Sequence, residues 1–151
     1  MTIPSPSWLA VDDEAVYVRR DDGVVSSIDP DTNDVTTLAE IPGDLCQGIG
    51  VGFGAVWTCS DTDVVATDLA TGAVGDPIAG GAGPDGAIAA TDQSLWVRRA
   101  DTFLQEIDVT DGAVGEITAD VTSGGDVIVA FGSLWATAYD DSGVTYRLAL
   151  D

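Results

Sequence analysis

The sequence predicts an all-β protein, a β-propeller of four four-stranded blades, because a unit of about 39 residues recurs along the chain. One aromatic residue marks each copy, within the same short phrase: Tyr17, Trp57, Trp96 and Trp135. A second phrase, Ser27-Ile28-Asp29, recurs at Ala66-Thr67-Asp68 and at Glu106-Ile107-Asp108, and each copy enters a turn. A repeat of this size cannot bury its own apolar face, so the copies must stack on each other to form a core.

Each repeat divides into four short segments that favour strands. In the first copy they lie at about 7–11, 15–20, 24–29 and 34–39, and they are rich in Val, Thr and aromatic residues with Gly, Asp and Pro at the joints. No run of twelve residues has apolar positions at helical spacing, and the chain has no lysine and only four glutamates. Helical repeats are therefore excluded, and four strands in about 40 residues are typical of a propeller blade.

The whole chain, 1–151, is predicted to be a single repeat domain with blades at about 5–40, 43–79, 83–119 and 123–151. The last of these ranges has no counterpart of the outer strand that the first blade has at about 34–39. We expect the recurring aromatics to pack between adjacent blades, although the three tryptophans could also form a stacking platform for sugars or bases.

Three phrases of the third repeat carry a family resemblance: Gly83-Pro84-Asp85-Gly86, Ser94-Leu95-Trp96-Val97, and the segment from Ile107 to Val114. They resemble a blade of the YVTN and NHL-type β-propellers, a group that includes the virginiamycin B lyase-like proteins. The resemblance covers the chain as four blades and implies a scaffold for binding or sensing. In the lyase branch activity depends on a histidine and a divalent metal, and this chain has no histidine to take that role.

Members of that group usually form rings of six to eight blades. We therefore predict that the chain is half of an eight-bladed ring, which a homodimer completes by stacking each fourth blade on the partner's first blade. The predicted function is a non-catalytic propeller scaffold for binding or assembly, with an unknown small molecule or protein as its ligand. The alternatives are a lyase-like enzyme with an Asp-based or metal-assisted site, and a closed four-bladed monomer that binds a ligand.

The net charge of −21, from 26 acidic residues against five arginines, argues against nucleic acid or an anionic membrane surface as a partner. No segment of about 18 apolar residues predicts a membrane span, and no signal peptide is recognisable. The compartment stays open, with an extracellular or cell-surface location slightly favoured if Cys46 and Cys59 form a disulfide. Hairpin pairing about Gly52-Phe53-Gly54 allows that bond, but a slip of one residue would point the two sulfurs to opposite faces and leave two reduced thiols.

Propeller geometry places the loops that enter each innermost strand on the same side of the ring as the turns between the second and third strands. We call this side the charged face, because it carries Asp44, Asp85 and Asp126 from the entering loops and Arg19, Arg20, Arg98 and Arg99 near the turns. The three carboxylates could bind calcium through oxygen ligands, or they could brace their own turns. The four arginines could bind an anionic ligand, or they could form salt bridges with neighbouring aspartates.

Overall fold

The computed structural model describes residues 2–43, 47–79, 86–120, 123–139 and 143–150. In this part of the chain every regular element is a β-strand, and the strands form four antiparallel sheets that follow each other along the sequence. The predicted all-β propeller of four blades is therefore confirmed.

The first three sheets each contain four strands in sequential order. Blade 1 consists of β1 (Pro6–Val11), β2 (Val16–Arg20), β3 (Val24–Ile28) and β4 (Val35–Glu40). Blade 2 consists of β5 (Gly50–Gly52), β6 (Ala55–Ser60), β7 (Asp63–Asp68) and β8 (Ile78–Ala79). Blade 3 consists of β9 (Ile88–Ala90), β10 (Ser94–Arg99), β11 (Phe103–Asp108) and β12 (Val114–Ile117). Blade 4 contains three strands within the described residues, β13 (Val127–Ala130), β14 (Ser133–Thr137) and β15 (Thr145–Ala149).

In blades 1, 2 and 3 an aspartate recurs at the end of the third strand, and in blades 1 and 2 its side chain builds the turn that follows. The side chain of Asp29 accepts hydrogen bonds from the backbone N–H groups of Asp31 (2.8 Å) and Thr32 (3.0 Å). Asp68 accepts in the same way from Thr71, at 2.8 Å. The Thr32 N–H holds the pKa of Asp29 below its ordinary value, and the Thr71 hydroxyl has the same effect on Asp68, because both donors favour the ionised carboxylate. This local role explains why the repeats retain an aspartate at this position.

Within the described residues, three hydrophobic clusters hold the blades together, one at each junction between sequential blades. Tyr17 of blade 1 packs with Val56 of blade 2, and Trp57 of blade 2 packs with Leu95 of blade 3. Trp96 of blade 3 lies in the third cluster with Leu134 of blade 4. The aromatic residue of each of these three blades is therefore buried against the next blade, as its spacing predicted.

Blade 4 and blade 1 line the same cavity, although the described residues form no hydrophobic cluster between them. Val18 and Ile28 share the face of blade 1 that points away from blade 2, since their positions alternate with Tyr17 and Ser27, and both are buried. Trp135 is only half-buried, and it lines a cavity together with residues of β1. The prediction of close interblade packing is thus correct for Trp57 and Trp96, whereas Trp135 borders the cavity and has the guanidinium of Arg147 at 5.3 Å from its ring centre.

Candidate functional site: the central cavity and the two faces of the ring

The innermost strands of all four blades surround one cavity of about 790 Å³. Its walls are mainly apolar, and several large side chains are accessible inside it: Leu9 is 66% exposed, Val11 68% and Ile128 58%. Among the described lining residues, Asp126 is the one that carries an ionisable side chain. A cavity of this size and polarity has the dimensions of a small-molecule site.

Two of the innermost strands approach each other closely because their inward positions are small. A Cβ atom on Gly52 of β5 would lie 2.6 Å from the Cβ of Ala90 on β9. Gly48 has a φ of +110°, and a Cβ there would lie 2.7 Å from the carbonyl oxygen of Gly86. Blades 2 and 3 thus meet tightly at the axis, and the open volume lies toward the bulkier strands β1 and β13.

On the charged face, Arg20 and Arg99 each form an ion pair with an aspartate two residues later. Arg20 pairs with Asp22. The Nε of Arg99 donates to Asp101 Oδ1 at 2.8 Å and its Nη2 donates to Oδ2 at 2.9 Å. This bidentate bond holds the pKa of Asp101 below its ordinary value. These contacts correspond to the salt-bridge interpretation of the arginines.

Arg98 occupies a different position and is fully buried. Its guanidinium donates to the carbonyl oxygens of Thr137 (2.8 Å), Ser123 (2.9 Å) and Phe103 (3.1 Å), and it lies 4.7 Å from the centre of the Phe103 ring. Thr137 and Ser123 belong to the blade 4 repeat, so Arg98 connects blades 3 and 4. Its geometry is that of an interblade brace.

Arg19 holds the equivalent position in blade 1 and is also buried. Burial lowers its pKa, because the charged form loses hydration, and the negative charge of Asp21 acts in the opposite direction. An anionic ligand for the four arginines stays a prediction, and the structure places two of them in ion pairs and two in the interior.

The predicted calcium site falls largely outside the described residues. Asp44 and Asp85 are not among them, whereas Asp126 lies exposed at the wall of the cavity, where its backbone N–H donates to the hydroxyl of Thr137 at 3.0 Å. Within the described ranges, no cluster of three or more Asp, Glu, Cys or His side chains could hold a metal ion. Calcium binding stays a prediction.

Cys59 is fully buried in β6 and is not a free thiol. Cys46 lies outside the described residues, so the bond between the two cysteines stays a prediction, as does the compartment that depends on it.

The opposite face of the ring, which we call the turn face, carries the four hairpin turns between first and second strands, at 12–15, 53–54, 91–93 and 131–132. A groove of about 920 Å³ opens on this face and shares Val51, Ala90 and Val129 with the central cavity. The groove is therefore the mouth of the cavity on this side.

Two of these turns place a phenylalanine in the left-handed region of φ. Phe53 has φ 57° and Gly54 has φ 71°, and the corresponding values for Phe131 and Gly132 are 53° and 66°. Both rings are exposed, Phe53 by 42% and Phe131 by 94%. The sequence analysis did not identify these two phenylalanines. The signal was the pair Phe-Gly in a hairpin turn, at a place where Asn-Gly is the preferred pair.

The described residues contain no helix with the length and apolarity that crossing a membrane requires. No protein-family model matches the sequence, and no curated protein sequence matches it.

Solved structures share the fold at low sequence identity. The chain is similar to the computationally designed Ika4 protein, with a TM-score of 0.73 and 16% identity over 100% of this chain and 94% of that one. It is similar to the WD40 β-propeller domain of Doa1, with a TM-score of 0.73 and 15% identity over 100% of this chain and 53% of that one. It is also similar to BamB from Moraxella catarrhalis, with a TM-score of 0.66 and 19% identity over 93% of this chain and 42% of that one. The chain thus spans about half the length of the two natural proteins, and the similarity shows the β-propeller fold alone.

Proposed function

We propose that this protein is a non-catalytic binding scaffold, closed as a four-bladed propeller, and that its binding site is the central cavity. The observation that carries the proposal is the wall of that cavity, where Leu9, Val11 and Ile128 stay accessible to solvent in the middle of the ring. Exposed apolar surface of this kind marks a site that a ligand or partner covers in the functional state of the protein. Because the lining is apolar, the ligand class is an uncharged, largely apolar molecule.

A fluorescent apolar probe tests this proposal. N-phenyl-1-naphthylamine should bind saturably and gain fluorescence in the cavity, and Ile128→Asp should weaken its binding by at least about tenfold, since a charge then stands in the apolar wall. Val35→Asp is the matched control, because Val35 is an exposed apolar residue on the outer strand β4 and does not line the cavity. Equal binding by the two variants, or no saturable binding to the unsubstituted protein, would refute the proposal.

The second candidate function is self-assembly into the eight-bladed homodimer that the sequence predicts. The exposed apolar residues of β1 and β13 favour it, because a second copy could cover them. The homodimer requires β1 and β13, which line the same cavity, to separate and to stack on the partner chain. Native mass spectrometry at micromolar concentration decides between the candidates: a species of 15.4 kDa supports the closed monomer, and a species of twice that mass supports the dimer.

The YVTN and NHL-type grouping, and an enzyme with an Asp-based or metal-assisted site on the charged face, stay predictions. The proposal of binding rests on the apolar wall of the cavity, where Asp126 is the one ionisable side chain among the described lining residues.

A further inference from the structure

The turn face combines apolar and acidic groups in a regular order around the mouth of the cavity. The turns of blades 2 and 4, on opposite sides of the axis, present Phe53 and Phe131. The turns of blades 1 and 3 present carboxylates, namely Asp13 and Glu14 in one and Asp92 in the other, all of them exposed. No lysine or arginine occurs in any of the four turns.

The two phenylalanines occupy backbone positions that disfavour them. A two-residue turn with positive φ at both positions is a type I′ turn, in which Asn-Gly is the preferred pair. A bulky residue in the left-handed region is strained, and burial offsets little of this strain for Phe131, which is 94% exposed, and only part of it for Phe53, which is 42% exposed. Strain and apolar exposure at the same position, found in two of four repeats, indicate that the rings serve a contact outside the folded chain.

We propose that the turn face is a docking site for a peptide segment of a partner protein that carries both basic and apolar side chains. Charge complementarity selects this partner: the turns carry Asp12 and Asp92, and Glu106 lines the groove. No lysine or arginine is among the turn residues or the described residues that line the groove, on a chain of net charge −21. The apolar side chains pack on Phe53 and Phe131 over the groove, and the basic side chains lie against the carboxylates of the intervening turns. Phe53 and Phe131 lie outside the lining of the cavity, at whose mouth the groove opens, so the inference does not depend on the proposed small ligand.

The test is fluorescence anisotropy with a labelled octapeptide of alternating lysine and leucine, at about 150 mM salt, where long-range attraction is screened beyond about 8 Å. The double variant Phe53→Asn, Phe131→Asn removes both rings without changing the charge, and Asn suits the turn, so its thermal unfolding midpoint should not fall. We expect this variant to bind the peptide at least about tenfold more weakly while it binds N-phenyl-1-naphthylamine as before. Asp120→Asn, which removes one exposed charge far from these turns, is the control and should change peptide affinity by less than about twofold.

Two results would overturn the proposal. If the double variant binds the peptide as tightly as the unsubstituted protein, the phenylalanines do not contact the partner. If a peptide of alternating lysine and serine binds as well as the lysine and leucine peptide, the attraction is general and the turn face is not an apolar docking site.

Discussion

Substituting Arg98 and its neighbour Arg99 separately tests whether one buried guanidinium holds two blades together. The two residues are adjacent on β10 and point to opposite faces of the sheet, so they carry the same charge in different surroundings. Arg98 is fully buried and donates to carbonyl oxygens of blades 3 and 4, whereas Arg99 forms a partly exposed ion pair with Asp101.

The size of the Arg98 effect follows from its partners. Its nitrogens donate to the carbonyl oxygens of Thr137, Ser123 and Phe103 at 2.8–3.1 Å, and hydrogen bonds from a charged donor each contribute about 1.5–3 kcal/mol. The cost of dehydrating the guanidinium offsets part of this sum, but Arg98→Ala recovers that cost while leaving the carbonyls without their donor. We therefore expect Arg98→Ala to lower the free energy of unfolding by about 3 kcal/mol, and Arg99→Ala to lower it by less than about 1 kcal/mol.

Urea unfolding followed by tryptophan fluorescence measures both variants, because Trp96 and Trp135 lie on the two blades that Arg98 connects. Arg98→Lys provides an intermediate case, since an ammonium group cannot reproduce the planar set of donors. If the free energies of unfolding of the Arg98→Ala and Arg99→Ala variants agree within about 1 kcal/mol, Arg98 does not act as a brace between blades 3 and 4. A role for Arg98 in ligand binding then becomes the better explanation.

Three further predictions concern the core and the charge. Trp96→Ala should lower the free energy of unfolding by about 3–5 kcal/mol, and Trp135→Ala should lower it clearly less, because Trp96 is buried and Trp135 is half-buried. A decrease below about 1 kcal/mol for Trp96→Ala would contradict the packing role of Trp96. Molar sodium chloride should raise the thermal unfolding midpoint, because the acidic side chains of a chain with net charge −21 repel each other in dilute buffer and salt screens this repulsion. An unchanged or lower midpoint in molar salt would count against the prediction. In molar salt, stability should fall as the pH drops below about 4, the ordinary pKa of aspartate. The pKa values of Asp29, Asp68 and Asp101 are lower in the folded state than in the unfolded chain, so the unfolded chain binds protons first as the pH falls. Their contribution to stability is therefore lost as the pH falls through the folded-state pKa values. Chemical denaturation between about pH 5 and 2 measures the free energy of unfolding, and a value that stays constant over this range would refute the prediction.

The sequence predicted the blades well because each blade is built from local signals that the chain repeats. Apolar alternation, turn residues and one aromatic per copy are sufficient to place strands and junctions. The same alternation could have identified the role of Arg98, since it is two residues from Trp96 on β10 and must face the same neighbouring blade.

Other features depend on geometry that no short pattern contains. Trp135 repeats the phrase of Trp57 and Trp96, yet its environment depends on how blade 1 meets blade 4, and that depends on the rotation between all the blades. The central cavity likewise depends on the rotation between all the blades. The calcium and disulfide predictions rest on Asp44, Asp85 and Cys46, which the described residues do not include.

The fourth junction links the two candidate functions and predicts that they compete. A ligand in the cavity contacts β1 and β13 together, so it binds the closed ring, whereas the dimer needs these strands apart. A ligand that binds one of two states shifts the population toward that state by its difference in affinity. Saturating N-phenyl-1-naphthylamine should therefore reduce any dimer fraction seen by native mass spectrometry, and Ile128→Asp should remove this effect of the probe. A dimer fraction that stays constant while the probe saturates the protein would show that the cavity survives in the dimer, and that β1 and β13 do not separate when two chains associate.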